Sequence, residues 1–194
     1  MMRIDEKLNL VVPVRGDDEE PRCFAFHVPI SREVFETHFR ALSLMHAEIV
    51  GRDSSYMGAG IRCASLIFRD ISASEAAKRG PQGADRSAAL LGEIKRLTTI
   101  LAPQDRHWET MPVDVAISAG QLSADEWSEV ESALVFFTGA YWMASASKRN
   151  DLTLAIASMI GSSTTLLQPL AFADGLPASK MAPRIMTEVS SVPS

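Results

Sequence analysis

Residues 122–143 constrain the fold more than any other part of the chain, because a helix-start signal there runs into twelve almost unbroken apolar residues, 133–144. Ser123 and Glu126 stand at the S-x-x-E spacing of a capping box, in which each side chain satisfies an orphan backbone N–H of the first turn. Leu122 and Trp127 are placed to clasp as a hydrophobic staple. Val130, Leu134, Phe137 and Tyr141 then form one stripe at helical spacing, while Val135, Phe136, Trp142 and Met143 cover the opposite side. A helix apolar on every side is either the centre of a fold or half of an interface. The spacing predicts one long helix opening at Ser123 and continuing as far as Lys148.

The remaining pattern is organised around that element. Leu8, Leu10, Val12 and Val14 alternate, the run 15–21 supplies Gly16, the acids Asp17, Asp18, Glu19 and Glu20, and Pro21, and then Phe24, Phe26 and Val28 alternate again. This reads as a β-hairpin whose prolines, Pro13 and Pro29, belong at edges or strand ends, since proline cannot donate to a ladder. Ser31 is an N-cap for a helix carrying Phe35, Phe39, Leu42, His46 and Ile49 on one side and ending at Gly51. Gly58 and Gly60 read as a hinge before a second helix over 61–71. Residues 74–86 read as a mobile loop or short helix, and a third helix over 87–101 stops before Pro103. Trp108 and Met111 pin the loop that follows. A helical turn over 113–119 closes at Gly120, and a last short helix covers 152–160. The expected fold is mainly α: a β-hairpin over 7–30, a compact bundle of about four to five helices completing one globular domain over 1–161, and an extended or partly disordered C-terminal arm over 162–194.

Composition excludes more than it selects. A net charge of −5 and a pI near 5.4, with no lysine- or arginine-rich run, argue against nucleic acid as a partner. The longest apolar stretch falls short of the roughly 20 residues a bilayer requires. Cys23 and Cys63 are too few for a disulfide framework and read as small buried residues. His27, His38, His46 and His107 show no metal-ligand spacing, and His46 on an apolar face reads as a satisfied core histidine. Gly58, Ala59 and Gly60 imitate half of a dinucleotide-binding loop but lack the preceding strand. The acid run 17–20 lacks the glycine and distal glutamate of a calcium loop. Asp105, Arg106, His107 and Glu109 form a polar cluster that reads as a solvated loop rather than an acid–base pair. No catalytic residue, cofactor or metal is expected.

Five stretches, taken in order, carry a resemblance: MRIDEKLNLVVPV, PISREVFETHF, GEIKRLTTIL, VESALVFFTGAYWM and FADGLPAS. Together they resemble the tail assembly chaperones of tailed phages and prophages. The resemblance implies a non-enzymatic protein of the host cytoplasm that binds the tape measure protein and helps tail tube protein polymerise around it. It also leaves room for a homo-oligomer. Such work requires exposed apolar surface for a long helical client. Phe136, Tyr141, Trp142 and Met143 at the end of the long helix, and Leu166, Leu167 and Phe172 in the arm, are the residues expected to supply it. Nine methionines suit an adaptable surface. The alternatives are a structural virion protein, a tail or head–tail completion subunit found in the particle, and a small enzyme with scattered residues.

Overall fold

A computed structural model describes residues 9–15, 20–52, 54–104 and 107–176. Strands β1 (Asn9–Arg15) and β2 (Pro21–His27) form the expected hairpin, followed by helices α1 (Arg32–Val50), α2 (Ser54–Arg62), α3 (Ala64–Lys78) and α4 (Ser87–Arg96). Strands β3 (Thr98–Gln104) and β4 (His107–Pro112) come next, then α5 (Val113–Ser118), α6 (Ala124–Met143), α7 (Arg149–Met159), β5 (Ser163–Thr165) and α8 (Pro169–Ala173). The mainly α expectation is therefore corrected. The protein is a mixed α/β fold in which a five-stranded antiparallel sheet, ordered β4-β3-β2-β1-β5, packs against helices.

Two misreadings account for most of the correction. Residues 98–101 continue the helical spacing of α4, but Thr98, Thr99 and Ile100 are β-branched, and they leave the helix to pair with β2. The loop expected around Trp108 and Met111 is β4, paired with β3 from Thr99 opposite Pro112 to Gln104 opposite His107. Residues 74–86 are not a loop throughout, since α3 runs to Lys78 and a 3-10 turn covers Gly80–Gln82. Gly58 and Gly60 lie inside α2, and the break between helices falls at Cys63, which is exposed. Pro13 sits as expected on a free edge, because β5 pairs with β1 only from Asn9 to Val11. The acid run 17–19 lies outside the described residues.

The capping box at the start of α6 forms as read. Ser123 Oγ accepts from the Glu126 backbone N–H at 3.2 Å, and Glu126 Oε2 accepts from the Ser123 backbone N–H at 2.7 Å. The helix ends at Met143, short of Lys148. From Val130 to Ala140 every residue is buried, as an all-apolar helix demands, with α1, α2, α3, α4, α7 and the sheet around it. Against the hydrophobic pattern, Glu131 and Ser132 are also buried; Arg69 Nη2 donates to Glu131 at 2.6 Å and the Ser65 and Ser132 hydroxyls lie 2.8 Å apart, tying α3 to α6.

Helices α1 and α6 approach each other closely at Gly139. His46 Nε2–H donates to the Phe136 carbonyl at 2.7 Å, and its ring stacks on Phe136 with centroids 4.3 Å apart. Only a glycine at 139 admits that ring, because a Cβ there would stand 2.5 Å from His46 Cδ2. The sheet is buried on both faces. Leu10, Val12, Val14, Ala25, Ile100 and Met111 face the helices, while Val11, Phe24, Phe26, Leu101 and Trp108 form a second cluster on the outer face. That outer face is covered by the segment read as an arm: Phe172 packs edge-on against Phe24 at 5.5 Å and Phe26 at 5.3 Å, with Ala173 and Leu176 beside it. The extended arm expected over 162–194 is thus corrected for residues 162–176, and residues 177–194 lie outside the described residues.

Gly139→Ala is expected to lower stability by about 1–3 kcal/mol through overpacking against His46, although alanine ordinarily strengthens a helix by about 1 kcal/mol. Gly92→Ala in α4, where an added Cβ meets nothing within 4 Å, is the control and should raise it; urea midpoints that move alike would contradict the His46 contact. Deleting residues 168–194 should expose the outer sheet face, which a lowered melting temperature and new binding of an apolar dye would report. Phe172→Ala alone should cost about 2 kcal/mol, less than the roughly 3–5 of a fully buried ring.

Candidate functional site

The residues expected to bind a partner separate into four places. Phe136 is buried beneath His46 and has no surface to offer. Leu166 and Leu167 are exposed on the link between β5 and α8, whereas Phe172 is spent on the outer face of the protein's own sheet. Tyr141, Trp142 and Met143 remain together where the coat of α6 runs out, and here the structure builds an aromatic corner.

The corner is assembled from three elements. The antiparallel packing of α1 on α6 brings Phe35 against Trp142, stacked at 6.2 Å and 27°. Phe39, one turn further along α1, meets Phe35 edge-on at 5.7 Å and is 50% exposed. Trp142 meets Tyr141 edge-on at 5.3 Å, and its indole N–H donates to the Ile30 carbonyl at 3.1 Å. From the start of α7, Arg149 lays its guanidinium over both rings, 5.1 Å from the Tyr141 centroid and 4.7 Å from that of Trp142. Its Nε–H donates to the Tyr141 carbonyl at 3.3 Å, satisfying one of the last acceptors of α6. Met143 is 41% exposed at the same helix end. Rings of this kind, half-covered and locked by stacking, offer large contact area with little entropy left to lose on binding.

Phe39 and Arg149 were missing from the sequence-level set. Phe39 reads as part of the buried stripe of α1, and no local signal places Arg149 over rings eight and seven residues earlier, because the turn between α6 and α7 sets that approach.

A second concavity, of about 590 Å³, lies between β1, α2, α6 and the end of α7. Its lining is mixed, with Val12, Val14, Ile61, Val130, Ala133 and Ile160 beside the charged Arg15, Arg62, Glu126 and Glu129. Its size suits a ligand or a side-chain cluster of a partner.

The candidate chemical groups take structural roles. His27 is fully buried, with Nδ1 3.0 Å from Thr98 Oγ1, and burial pushes it down to about 3. Burial also lowers His38 and His46 below their ordinary value. Cys23 is buried beside the Gln121 carbonyl and burial pushes its thiol up to about 12, which leaves it inert. His107 and Glu109 pair at 2.7 Å at exposed positions of β4; Asp105 and Arg106 lie outside the described residues. Among the described residues no group of three or more His, Cys, Asp and Glu could hold a metal ion, and no helix is long and apolar enough to cross a membrane.

No protein family, curated protein or solved structure matches this chain. The class that fold and site define is a helix-wrapped antiparallel sheet with an aromatic surface corner.

The buried histidines fix the sign of the pH dependence. A base held neutral in the fold but protonated in the unfolded chain below pH 6.5 costs stability as pH falls. Stability is therefore expected to be level above about pH 7 and to fall below 6.5, by up to about 1.4 kcal/mol per pH unit for each histidine. Glu131, raised by burial, acts in the opposite direction, and the lowered Glu75, Asp85, Glu93 and Glu126 add their losses only below about pH 4.5. Urea midpoints that stay level from pH 7.5 to 5 would contradict the buried neutral state.

Proposed function

We propose that the protein is a non-enzymatic assembly chaperone of the tailed-phage type, which holds a helical client, the tape measure protein, while tail tube protein polymerises around it. The observation that supports this reading is the aromatic corner: Phe35, Phe39, Tyr141 and Trp142 interlock at the end of α6, and Phe39 and Met143 present apolar surface that none of the described residues covers. A long amphipathic client would lay its apolar ridge there, as helix-in-groove partners do. The work belongs in the host cytoplasm, before the particle is complete.

The test is co-expression with the tape measure protein of the same phage or prophage, comparing the native chain with Phe39→Asp. Phe39 is half in solvent and its ring meets Phe35 edge-on, so the variant should still fold, with a melting temperature lowered by a few degrees. It is expected to lose co-purification of the client and leave it insoluble. Retention of this protein in purified virions at stoichiometric amounts would instead make it a structural tail or head–tail subunit.

A further inference from the structure

We propose that the corner recognises a client segment that carries a carboxylate beside its apolar ridge, with Arg149 as the receiving cation. This rests on the reading of the corner as the client-binding surface and adds the chemistry of what is bound.

Three observations point to it. Arg149 is half-buried on the faces of Tyr141 and Trp142, and its Nε–H goes to the Tyr141 carbonyl, which leaves the Nη fork as the part presented to a partner. Among the described residues no carboxylate lies within ion-pair distance of it: Glu36, on the neighbouring α1, is held by Arg32 at 2.7 Å, and Asp151 in the first turn of α7 forms no ion pair with it. Lys148, exposed next to it, is likewise without an ion pair among the described residues, so a positive spot stands on a chain whose net charge is −5.

Ring faces orient a guanidinium but do not neutralise it, and its fork geometry matches a carboxylate bidentately. The apolar half of the site is Phe39 and Met143. Phe39 is reached from Arg149 by ring-to-ring steps of 4.7, 6.2 and 5.7 Å, so it lies within about three helical turns of the guanidinium. A helix with leucine or phenylalanine on one ridge and a glutamate or aspartate one to three turns away satisfies both halves. Because it pairs with Arg149 at one point, the carboxylate sets register as well as adding affinity.

The test uses the full chain and three synthetic amphipathic helical peptides that share one leucine ridge and differ only at a single flanking position, as Glu, Gln or Lys. The Glu peptide is expected to bind about tenfold tighter than the Gln peptide, with the Lys peptide weakest, and the advantage should shrink as salt is raised. Arg149→Gln keeps a donor for the Tyr141 carbonyl and should abolish the Glu advantage, while Arg149→Lys should keep part of it. If Arg149→Gln unfolds, the Glu-to-Gln change in the peptide still measures the same contact on the native chain. Equal binding of the Glu and Gln peptides, or an advantage that survives Arg149→Gln, overturns the proposal. Should Phe39→Asp abolish binding of all three while Glu and Gln remain equal on the native chain, the corner stands and the carboxylate falls; if Phe39→Asp changes nothing, the corner itself falls. Displacement of the Glu peptide by a single-stranded oligonucleotide, or a Phe39-dependent dimer in sedimentation, would overturn it in favour of nucleic acid or a second copy.

Discussion

Everything in this structure is arranged around a helix that is enclosed on every side from Val130 to Ala140. Each fully buried Leu or Phe of α6 contributes about 1.5–3 kcal/mol only if water is excluded from all of its sides, so the chain must supply a closed coat. It does so from both of its halves: α1, α2, α3 and α4 come before α6, α7 after it, and the inner face of the sheet completes the enclosure. The buried Glu131 and Ser132 of α6 are tied off, whereas Thr138 Oγ1 is buried without a hydrogen-bond partner among the described residues. Glu131 has Arg69, Ser132 has Ser65, and the Phe136 carbonyl takes a second donor from His46.

That last contact shows how tight the coat is. A histidine ring lies flat on a helix at a point where even a methyl group would collide, which fixes the height of α1 on α6. From that height follows the meeting of Phe35 with Trp142 one end further on, and from the turn after Met143 follows Arg149 over the same rings. The aromatic corner is thus the unfinished edge of the core. Its rings are held by the same packing that closes the interior, yet Phe39 and Met143 stay in solvent. A surface of this kind is rigid without being covered, which is what a protein-binding role requires and what an ordinary core does not leave behind.

The sheet is treated differently on its second face. Antiparallel sheets commonly leave one face to water, but Val11, Phe24, Phe26, Leu101 and Trp108 make this one apolar on both. The cover is a five-residue helix reached through a three-residue strand, so a short segment near the end of the described chain closes a large apolar area. Phe172 looked available to a partner for the reason it is needed at home: an aromatic in a small, proline-bearing stretch has no local partner.

How much of this could be read from the residues depends on how far each interaction reaches along the chain. The hairpin, the Ser31 cap, the Ser123–Glu126 capping box and the all-round burial of α6 were legible because caps, alternation and helical spacing act over a few residues. Strand β3 was not, because burial on both faces erases the alternation that marks a strand, and residues 98–101 fit the spacing of α4 equally well; β4 was not, because only Trp108 and Met111 of its six residues are buried, at a spacing of three rather than two. Of the site, Tyr141, Trp142 and Met143 were in view, but Phe136 and Phe172 were drawn inward and Phe39 and Arg149 brought in only by packing. The sequence by itself determined where α1 and α6 start and that α6 must be enclosed. Only the tertiary structure decided where the enclosure stops, because that is set by contacts between residues more than a hundred positions apart, such as Trp142 and Ile30.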